Sequence, residues 1–442
     1  MHRFSGRKLF LAGAALAVLA FAAAFPGRQV RGGSPFTMSV GTHGADIAGD
    51  DNRAIQTAID RVAAQGGGVV HLQAGTYVIR DSIRMANHVT LEGEGASGTL
   101  LKRVAYARTK LTEDADSTDQ KITVEDPKNF PSGTGILIFD NALFQGMYPN
   151  ENSVSAAAGS TLSLVRRVGL DYMVDKSGQA SNFFPVISGV GVKDTTIHDL
   201  AVDGNRSGKE SEVELTRIGG GAIFYYNSQA MHIRSVVARN NAADGISLQF
   251  VADPVIQDSD VYRNGGLGIH VGTEALRAVV AGNHSHENGQ DGLYLCWDVQ
   301  HGTFEGNELR GNGRDGISIG HRDTDNTFTH NTIVGNAHAG VQFRDEPRNP
   351  GNRNVLRENH IENNGKVDAA GYGVRIDGQT EYITLSANTI GESRPIAGAH
   401  HVGIYIGPQA DHITCEGNTI TGNFKDLVLN ESRQAHNQVA SR

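Results

Sequence analysis

A short phrase of alternating apolar and polar residues recurs along the second half of the chain. Each copy opens with a glycine, and strand-like alternation follows it, as in Ile317-Ser318-Ile319. The opening glycines are Gly221, Gly245, Gly268, Gly292, Gly316, Gly340, Gly373 and Gly403, with a fading copy at Leu427. The first five steps are 24, 23, 24, 24 and 24 residues long. A period of two within each phrase predicts a strand with one buried face, repeated once per coil.

Asparagines stand at two fixed places relative to this phrase. One set lies shortly before the glycine, mostly by four residues, and the other opens the preceding strand. The first set is Asn241, Asn264, Asn288, Asn312, Asn336 and Asn364, with Asn423 before Leu427, and the second is Asn283, Asn307, Asn331, Asn359, Asn388 and Asn418. Amides at equivalent turns can stack and satisfy one another's buried polar groups. The pattern therefore predicts a right-handed parallel β-helix, which is an all-β solenoid.

The first 25 residues have the pattern of an export signal. Basic residues, ending with Arg7 and Lys8, precede an Ala- and Leu-rich apolar run that ends in small residues. This order predicts a signal peptide at 1–25, with a membrane anchor as the alternative. The mature protein is then expected to be secreted or periplasmic and to have no stable membrane span.

The rest of the chain divides into a solenoid at 45–430 and a polar tail at 431–442. Asp50 and Asp51 precede apolar residues at helical spacing, so we expect a capping helix with one of these aspartates as its N-cap. Residues 103–190 alternate like strands but lack the repeated phrase, which predicts a β-rich insertion. Such an insertion either shapes a substrate groove or is a structural elaboration.

The acidic turn, the helical segment and the run Gly66-Gly67-Gly68-Val69-Val70 resemble the N-terminal cap of the pectate-lyase-like superfamily of right-handed parallel β-helix proteins. The resemblance covers most of the chain, from about Gly49 to the last coil. Val374-Arg375-Ile376 is similar to a phrase of polygalacturonases, and Asp203-Gly204-Asn205-Arg206 among Asn-rich coils resembles the catalytic module of mannuronan C5-epimerases. Ser247-Leu248-Gln249 stands where the epimerase signature Asp-Pro-His falls. The resemblance implies an enzyme that acts on a polysaccharide.

Charge and cysteine usage exclude some alternatives. The net charge of -9 and the pI near 6.0 are unlike the basic surface of a nucleic-acid-binding protein, so no nucleic acid partner is expected. The two cysteines, Cys296 and Cys415, fall on different strands and coils, too far apart for a disulfide. We therefore predict two free, non-catalytic thiols. The oligomeric state is left open.

Equivalent positions of successive coils stack into rows, so the second and fourth phrase positions form one outward polar face. The second row is Ser247, His270, Tyr294, Ser318, Gln342, Arg375 and Tyr405, and the fourth is Gln249, Gly272, Cys296, Gly320, Arg344, Asp377 and Gly407. The predicted catalytic residues on and beside this face are His270, Tyr294, His321, Asp323 and Arg344. Their chemistry suits β-elimination or C5-epimerisation of an acidic, uronate-containing polysaccharide.

Each predicted catalytic residue has a role in that reaction. Arg344 would hold the uronate carboxylate, because guanidinium binds carboxylate bidentately. Tyr294 or His321 would exchange the C5 proton, His270 would serve the opposite side of the sugar, and Asp323 would orient His321. Glycines in the fourth row would leave room for the polymer chain.

Further residues are predicted to bind the substrate, namely Trp297, Asp298, Arg375 and Tyr405. Trp297 offers a face for a sugar ring, and Arg375 offers a second carboxylate clamp. No loop has dedicated metal-ligand spacing, so no metal site is predicted. Calcium is still possible, because Asp298, Asp323 and Glu346 could ligate it together with a uronate.

Two other classes of protein stay open. Asp291 and Asp315 directly precede phrase glycines on adjacent coils, so their strands lie about 5 Å apart. Paired carboxylates in this place are similar to those of polygalacturonases, which makes a glycoside hydrolase the first alternative. Asp-Gly is also a favoured turn pair in any β-helix. The second alternative is a non-catalytic carbohydrate-binding or structural solenoid.

Overall fold

The computed structural model describes residues 35–142, 150–207, 220–346, 350–395 and 401–439. The predicted signal peptide lies outside these ranges. The chain divides into two units, Met1–Pro35 and Phe36–Arg442, and the fold described below is that of the second unit. Within the described ranges, no helix combines the length and apolar character that a membrane crossing requires.

Among the described residues the one α-helix is Asn52–Ala64, and it lies at the N-terminal end of the solenoid. Asp51 is its N-cap, because the Asp51 carboxylate accepts hydrogen bonds from the backbone N–H groups of Arg53 and Ala54. The apolar side of the helix, which includes Ile55 and Ile59, is buried in the same core as the strands. The predicted capping helix is therefore confirmed.

Each coil gives one strand to each of three parallel faces. Face one carries the repeated phrase and consists of Ile83–Arg84, Ile187–Val190, the start of Ile223–Arg239, Ile246–Ala252, Ile269–Val271, Leu293–Leu295, Ile317–Ile319, Ala339–Phe343, Gly371–Ile376, His401–Ile406 and Asp426–Asn430. Face two consists of Thr37–Gly41, Gly68–Leu72, Val89–Glu92, the start of Lys193–Asp203, the middle of Ile223–Arg239, Val255–Gln257, Val279–Ala281, Thr303–Glu305, Thr327–Thr329, Val355–Arg357, Thr384–Ser386, Thr414–Glu416 and Gln438–Val439.

Face three consists of Gly75–Ile79, Thr99–Arg103, the ends of Lys193–Asp203 and Ile223–Arg239, Asp260–Tyr262, His284–His286, Glu308–Arg310, Thr332–Val334, His360–Glu362, Thr389–Glu392 and Thr419–Gly422. The short strand Ile47–Ala48 pairs with the end of Thr37–Gly41. Apolar phrase residues such as Ile317 and Ile319 are fully buried between the faces. The parallel β-helix predicted from the repeat is confirmed.

The register of face one is the one that the repeat predicts. His270 pairs with Ser247 on one side and with Tyr294 on the other. The row then continues through Ser318, Gln342, Arg375 and Tyr405. The outward rows of the sequence analysis are therefore real rows of neighbouring side chains.

Both asparagine ladders are present. Nδ2 of Asn307 donates to Oδ1 of Asn331 on the next coil at 3.0 Å and to the carbonyl of Val280 at 2.9 Å. The backbone N–H of Asn307 donates to the same Asn331 oxygen at 2.9 Å. Asn312 makes the equivalent bonds to Asn336 on the parallel ladder. Each amide thus satisfies polar groups of the coil before it and of the coil after it.

The solenoid extends beyond the predicted limits at both ends. Thr37–Gly41, ahead of residue 45, pairs with Gly68–Leu72. Gln438–Val439 lies inside the predicted polar tail and pairs with Thr414–Glu416. Both strands lack the repeated phrase and its asparagines, so the periodicity could not find them.

The predicted β-rich insertion is a six-stranded antiparallel sheet with a separate apolar core. In spatial order its strands are Arg108–Lys110, Gln179–Ser181, Gly135–Phe139, Asn150–Ala158, Thr161–Leu164 and Lys121–Thr123, and a 3₁₀ turn covers Val174–Lys176. Its backbone joins the early coils where Gly135 N–H donates to the Arg80 carbonyl at 2.7 Å. Phe139 and Phe183 also pack on Ala242 and Ala243. The insertion thus lies beside the N-terminal coils.

Both cysteines are free thiols, as predicted. Cys415 is buried in the core and pairs in register with Leu385. Cys296 lies on the outward side of face one and is partly exposed.

Candidate functional site

The outward side of face one is more covered than its sequence suggests. Ser247 and Ser318 are fully buried, and His270 is only 4% exposed. Tyr294 lies between them and remains partly exposed. Long side chains from neighbouring coils provide the cover, so the face offers a few accessible groups rather than a continuous polar strip.

His270 is held in its charged form by Asp244. Nδ1 of His270 lies 2.9 Å from Oδ2 of Asp244, whose other oxygen accepts a hydrogen bond from the backbone N–H of Leu267 at 3.0 Å. Burial by itself would lower the pKa of His270, but the Asp244 carboxylate and the nearby Cys296 raise it to about 9. His270 is therefore an imidazolium at neutral pH.

Tyr294 lies between His270 and the guanidinium of Arg344. The His270 and Tyr294 rings meet edge to face, with centroids 5.3 Å apart. The guanidinium carbon of Arg344 lies 4.4 Å from the centroid of the Tyr294 ring. Burial raises the pKa of Tyr294, whereas the Arg344 charge acts in the opposite direction. Tyr294 is thus a neutral phenol with a neighbouring cation that favours its ionised form.

Arg344 reaches back across two coils to make these contacts. Its Nη1 donates to Oγ of Ser318 at 2.9 Å, and its Nη2 donates to the carbonyl of Leu295 at 2.8 Å. A Cβ atom at Gly320 would lie only 2.9 Å from Nε and Nη2 of Arg344. Glycine at 320 therefore makes room for the arginine, and room for a polymer chain at this position stays a prediction.

Gly272, two row positions earlier on the face, has a similar role. A Cβ atom there would lie 2.1 Å from Nε2 of Gln249, so the Gln249 amide would have to move. The amide nitrogen of Gln249 lies 3.5 Å from Nε2 of His270. The glycine thus lets Gln249 cover the imidazolium.

His321 is positioned by Arg344, Glu346 and Trp297. Nη2 of Arg344 lies 3.2 Å from Nδ1 of His321 and can only donate, so Nε2 carries the hydrogen that is directed to Glu346 at 2.8 Å. The ring also stacks on Trp297, with centroids 5.2 Å apart.

Asp323 does not have the predicted role of orienting His321. It is fully buried, and its oxygens accept hydrogen bonds from the backbone N–H groups of Gly320 at 2.9 Å and Val299 at 3.1 Å. Burial raises the pKa of Asp323 to about 7, and Arg344, with Nη2 at 3.6 Å, opposes that rise. Asp323 therefore shapes the turn that carries His321, and Glu346 provides the carboxylate beside the ring.

The alternative pair, Asp291 and Asp315, is present but covered. Both residues are at most 1% exposed, and the backbone N–H of Asp315 donates to Oδ1 of Asp291 at 2.9 Å. Oδ1 of Asp315 lies 2.7 Å from Nδ1 of His338, while Oδ2 of each aspartate is buried without a hydrogen-bond partner. Burial and the Asp315 charge raise the pKa of Asp291 to about 7. The two carboxyl groups have the chemistry of a general acid and a general base, but both are buried and out of contact with any substrate in this conformation.

Two of the predicted substrate-binding residues, Arg375 and Tyr405, line a common cavity. The Arg375 guanidinium lies 4.6 Å from the Tyr372 ring centroid and 5.4 Å from that of Tyr405. The cavity has a volume of about 300 Å³, and its lining is Tyr372, Arg375, Val402, Tyr405, Lys425, Leu429 and Glu431. Its two cations and two phenol rings suit an anionic sugar, which would compete with Asp377 at 2.6 Å from Arg375 and with Glu431, the acceptor of the Tyr405 phenol at 2.9 Å.

Trp297 and Asp298 lie elsewhere on the same side, at the coil of Tyr294. Trp297 is 48% exposed, and its ring is available on the side away from His321. Asp298 forms an ion pair with Arg322. Three coils, or about 14 Å, separate Trp297 from the Arg375 cavity along the solenoid axis.

The three carboxylates suggested for calcium have other partners. Asp298 pairs with Arg322, Glu346 lies against His321, and Asp323 accepts backbone hydrogen bonds. A calcium ion bound by them would have to replace these contacts. Calcium binding stays a prediction.

Sequence reasoning did not assign roles to Asp244, Tyr372 and Lys425. Asp244 carried a signal, since it stands before a phrase glycine like Asp291, but its pairing with His270 of the next coil depends on side-chain direction. Tyr372 and Lys425 lie outside the two rows that were read as the outward face.

Comparisons with known proteins agree with this architecture. The model of the family described as "Right handed beta helix region" matches residues 188–350. Among curated proteins, mannuronan C5-epimerases AlgE1 and AlgE4 of Azotobacter vinelandii are each 26% identical over 237 and 236 residues, respectively. Each match covers 52% of this chain but only 14% of AlgE1 and 34% of AlgE4.

Solved structures show the same fold over nearly the whole chain. The A-module of mannuronan C-5 epimerase AlgE6 of Azotobacter vinelandii has a TM-score of 0.55 at 16% identity, over 90% of this chain and 97% of that chain. The polygalacturonase of Erwinia carotovora has a TM-score of 0.54 at 12% identity, over 92% and 99% of the two chains. The protein is a right-handed parallel β-helix protein. The predicted resemblance to right-handed parallel β-helix proteins is confirmed.

Proposed function

We propose that this protein is an exported enzyme that modifies a uronate-containing polysaccharide by β-elimination or C5-epimerisation. The names of its relatives support the substrate class, because mannuronan and polygalacturonate are both polyuronates. The basic and apolar N-terminal segment supports export. The arrangement of Tyr294, His270 and Arg344 supports the type of reaction.

The observation that carries the proposal is the guanidinium of Arg344 lying 4.4 Å from the ring of Tyr294, a partly exposed tyrosine of the outward face. Removal of a C5 proton leaves negative charge on the uronate carboxylate and the adjacent carbon. A fixed cation beside the proton-transfer group stabilises that charge as it develops. The same cation favours the phenolate form of Tyr294, which is the form that can accept the proton.

The proton inventory is consistent with either reaction. The Tyr294 phenol first gives its proton to solvent, and the phenolate then takes the C5 proton while the C–H electron pair stays on C5 and its carboxylate. In β-elimination this pair forms the C4–C5 double bond as the C4–O bond breaks, and the leaving C4 oxygen takes the proton back from Tyr294. In epimerisation water gives a proton to C5 from the opposite face, and the hydroxide left behind takes the proton from Tyr294. In this proposal His270 does not serve the opposite side of the sugar, because it is a buried imidazolium with its ring centroid 5.3 Å from that of Tyr294. Its positive charge favours the phenolate.

Arg375, Tyr405 and Lys425 would bind a neighbouring sugar of the same polymer in their cavity. Trp297 would stack on another. These residues are on the side of the solenoid that carries Tyr294, so an extended chain running along the axis can contact them together.

A glycoside hydrolase is the second candidate, because Asp291 has a pKa raised to about 7 next to a second carboxylate. A carboxyl group that is half protonated near neutral pH could act as general acid, with Asp315 as base. Both side chains are almost completely buried, which makes this the weaker candidate.

The experiment that tests the proposal is a product analysis on alginate, polygalacturonate and acidic exopolysaccharide, with and without chelator. A new absorbance of unsaturated uronate ends identifies a lyase, and changed C5 stereochemistry by proton NMR identifies an epimerase. New reducing ends without that absorbance identify a hydrolase and reject the proposed reaction. Binding without any change in the polymer identifies the non-catalytic alternative.

A further inference from the structure

Asp411, His412 and His436 form a cluster near the C-terminal end of the solenoid, in the turns that lead from face one to face two. Nδ1 of His436 lies 3.0 Å from Oδ2 of Asp411, and Nδ1 of His412 lies 3.2 Å from the same oxygen. One ligand atom from each residue lies within 4.8 Å of the other two. In the part of the chain that the structure describes, no other three His, Cys, Asp or Glu side chains meet this closely.

Hydrogen bonding explains only part of this cluster. Oδ1 of Asp411 accepts a hydrogen bond from the backbone N–H of His412 at 2.9 Å, which leaves Oδ2 directed toward both imidazoles. Nδ1 of His412 is buried and has no hydrogen-bond partner, although it is close to that oxygen. A buried polar atom without a partner is unfavourable. A cation held by the three atoms would satisfy it.

The coil architecture brings the three residues together. Asp411 and His412 precede the strand Thr414–Glu416. His436 precedes the strand Gln438–Val439, which pairs with Thr414–Glu416 on face two. The two imidazole rings therefore lie one above the other, with centroids 4.6 Å apart. The side chain of His436 is 61% exposed, so its ring can tilt toward an ion shared with His412.

Two imidazole nitrogens and one carboxylate oxygen are ligands typical of zinc, with water in the fourth position. In a tetrahedral site with metal–ligand bonds of about 2.0–2.2 Å, the ligand atoms lie about 3.3–3.6 Å apart. The separations of 3.0 and 3.2 Å to Oδ2 of Asp411 are slightly shorter than that range, and all three ligand atoms lie within 4.8 Å of one another. Calcium and magnesium prefer oxygen ligands alone, so nitrogen ligands select against them.

We propose that Asp411, His412 and His436 bind one divalent transition-metal ion of the zinc type. The bound ion fastens the segment that leads into the last described strand, Gln438–Val439, to the preceding coil. An exposed last strand is the edge at which a solenoid can fray or pair with another chain. The site is thus a metal clip for the C-terminal end, independent of the chemistry on face one.

Calorimetric titration of the untagged, chelator-treated and dialysed full chain with Zn²⁺ tests the proposal. We expect one Zn²⁺ per chain, with affinity reduced about tenfold or more in His436→Gln and in Asp411→Asn. His330→Gln is the matched control, because His330 is an exposed histidine that lies between two carboxylates, Glu305 at 3.6 Å and Glu358 at 2.8 Å. This variant should bind zinc like the wild type. Ca²⁺ and Mg²⁺ should not compete.

Thermal unfolding provides a second readout. Zn²⁺ should raise the Tm of the wild type and of His330→Gln, because a ligand that binds only the folded state stabilises it. It should leave the Tm of His436→Gln unchanged. Zinc affinity that is equal in His436→Gln and the wild type would overturn the proposal, as would the absence of a Tm shift in the wild type. The cluster would then be a stacked pair of histidines in which His436 is hydrogen-bonded to Asp411.

Discussion

At the scale of single residues, the neighbours of a side chain on face one decide its chemical state. His270 shows this most clearly. Burial favours its neutral form, and the Asp244 carboxylate at 2.9 Å favours the charged form. The carboxylate prevails, and the pKa rises to about 9. Since the folded-state pKa lies above the ordinary value, His270 stabilises the fold fully below about pH 6.5 and loses that contribution as the pH rises through about 9.

The titration of His270 is therefore a first prediction. Proton–carbon NMR of the imidazole Cε1–H group should give an apparent pKa near 9 in the wild type. In Asp244→Asn the counter-charge is lost while burial remains, so the pKa should fall below that of an ordinary histidine. The resonance that disappears in His330→Gln belongs to exposed His330 and serves as the reference. A His270 pKa that is the same in Asp244→Asn and the wild type would show that Asp244 does not set the charge.

The sequence predicted which residues of successive coils lie in one row of face one. It did not predict which contacts their side chains make. The 24-residue spacing places Tyr294 beside His270 without any knowledge of side chains. It does not show that Arg344 crosses Gly320 to reach Tyr294, because the course of a long side chain depends on its rotamer and on the space around it. For the same reason Asp323, which the sequence placed beside His321, turns inward to backbone N–H groups.

At the scale of elements, most strands of the central coils are only three residues long. Such short strands are stable only because each one pairs with strands of the adjacent coils. Each asparagine of a ladder joins such strands to the adjacent coil. Oδ1 of Asn307 accepts two hydrogen bonds from Asn283, at 3.1 and 3.0 Å, and its Nδ2 donates two more. All of these groups are buried. A missing ladder amide thus leaves several polar groups without partners.

The second prediction concerns this ladder. Asn307→Ala should lower the free energy of unfolding by about 3–5 kcal/mol, because buried donors and acceptors are left unpaired. Asn423→Ala is the matched control, since the Asn423 amide makes one exposed hydrogen bond to the Arg394 carbonyl. That variant should lose less than about 1 kcal/mol. Guanidinium denaturation of the three proteins measures the difference, and equal stability of the two variants would show that the ladder contributes little.

A third prediction concerns the inward side of the phrase strand. Ile317 is fully buried, so Ile317→Asp introduces an unpaired carboxylate into the core and should cost several kcal/mol. Thr303→Asp places the same residue at an exposed position of a three-residue strand and should have a small effect. A Tm retained by Ile317→Asp would contradict the register of face one.

The elements that the sequence predicted are those with the repeat. The phrase strands, the two ladders and the capping helix all have patterns that follow from period or capping chemistry. Neither a repeat nor a capping pattern marks Thr37–Gly41 and Gln438–Val439. These segments form strands because the adjacent coil has backbone groups with which they can pair. The metal-ligating cluster was missed because its residues are 25 positions apart, from Asp411 to His436, and meet only through coil stacking.

At the scale of the whole molecule, the solenoid aligns the candidate groups in one direction. Five phrase steps separate Gly268 from Gly403, which is about 24 Å along the axis. Tyr294, Trp297 and the Arg375 cavity fall within that length. The net charge of -9 means that cations on this side stand out from an acidic molecule. On the proposed function, a long anionic polymer would be held at several points while one sugar reaches Tyr294.

The central claim is that Tyr294 transfers the proton in a reaction on a polyuronate, and turnover of Tyr294→Phe tests it most directly. The polymer is the one on which the wild type gives unsaturated ends or changed C5 stereochemistry. Removal of the phenol oxygen should lower turnover by a factor of about 100 or more while the Tm stays within a few degrees of the wild type. Tyr262→Phe is the matched control, because Tyr262 lies on face three with its ring stacked on His286, and it should keep full activity. Wild-type turnover in Tyr294→Phe, with the same product, would contradict the account.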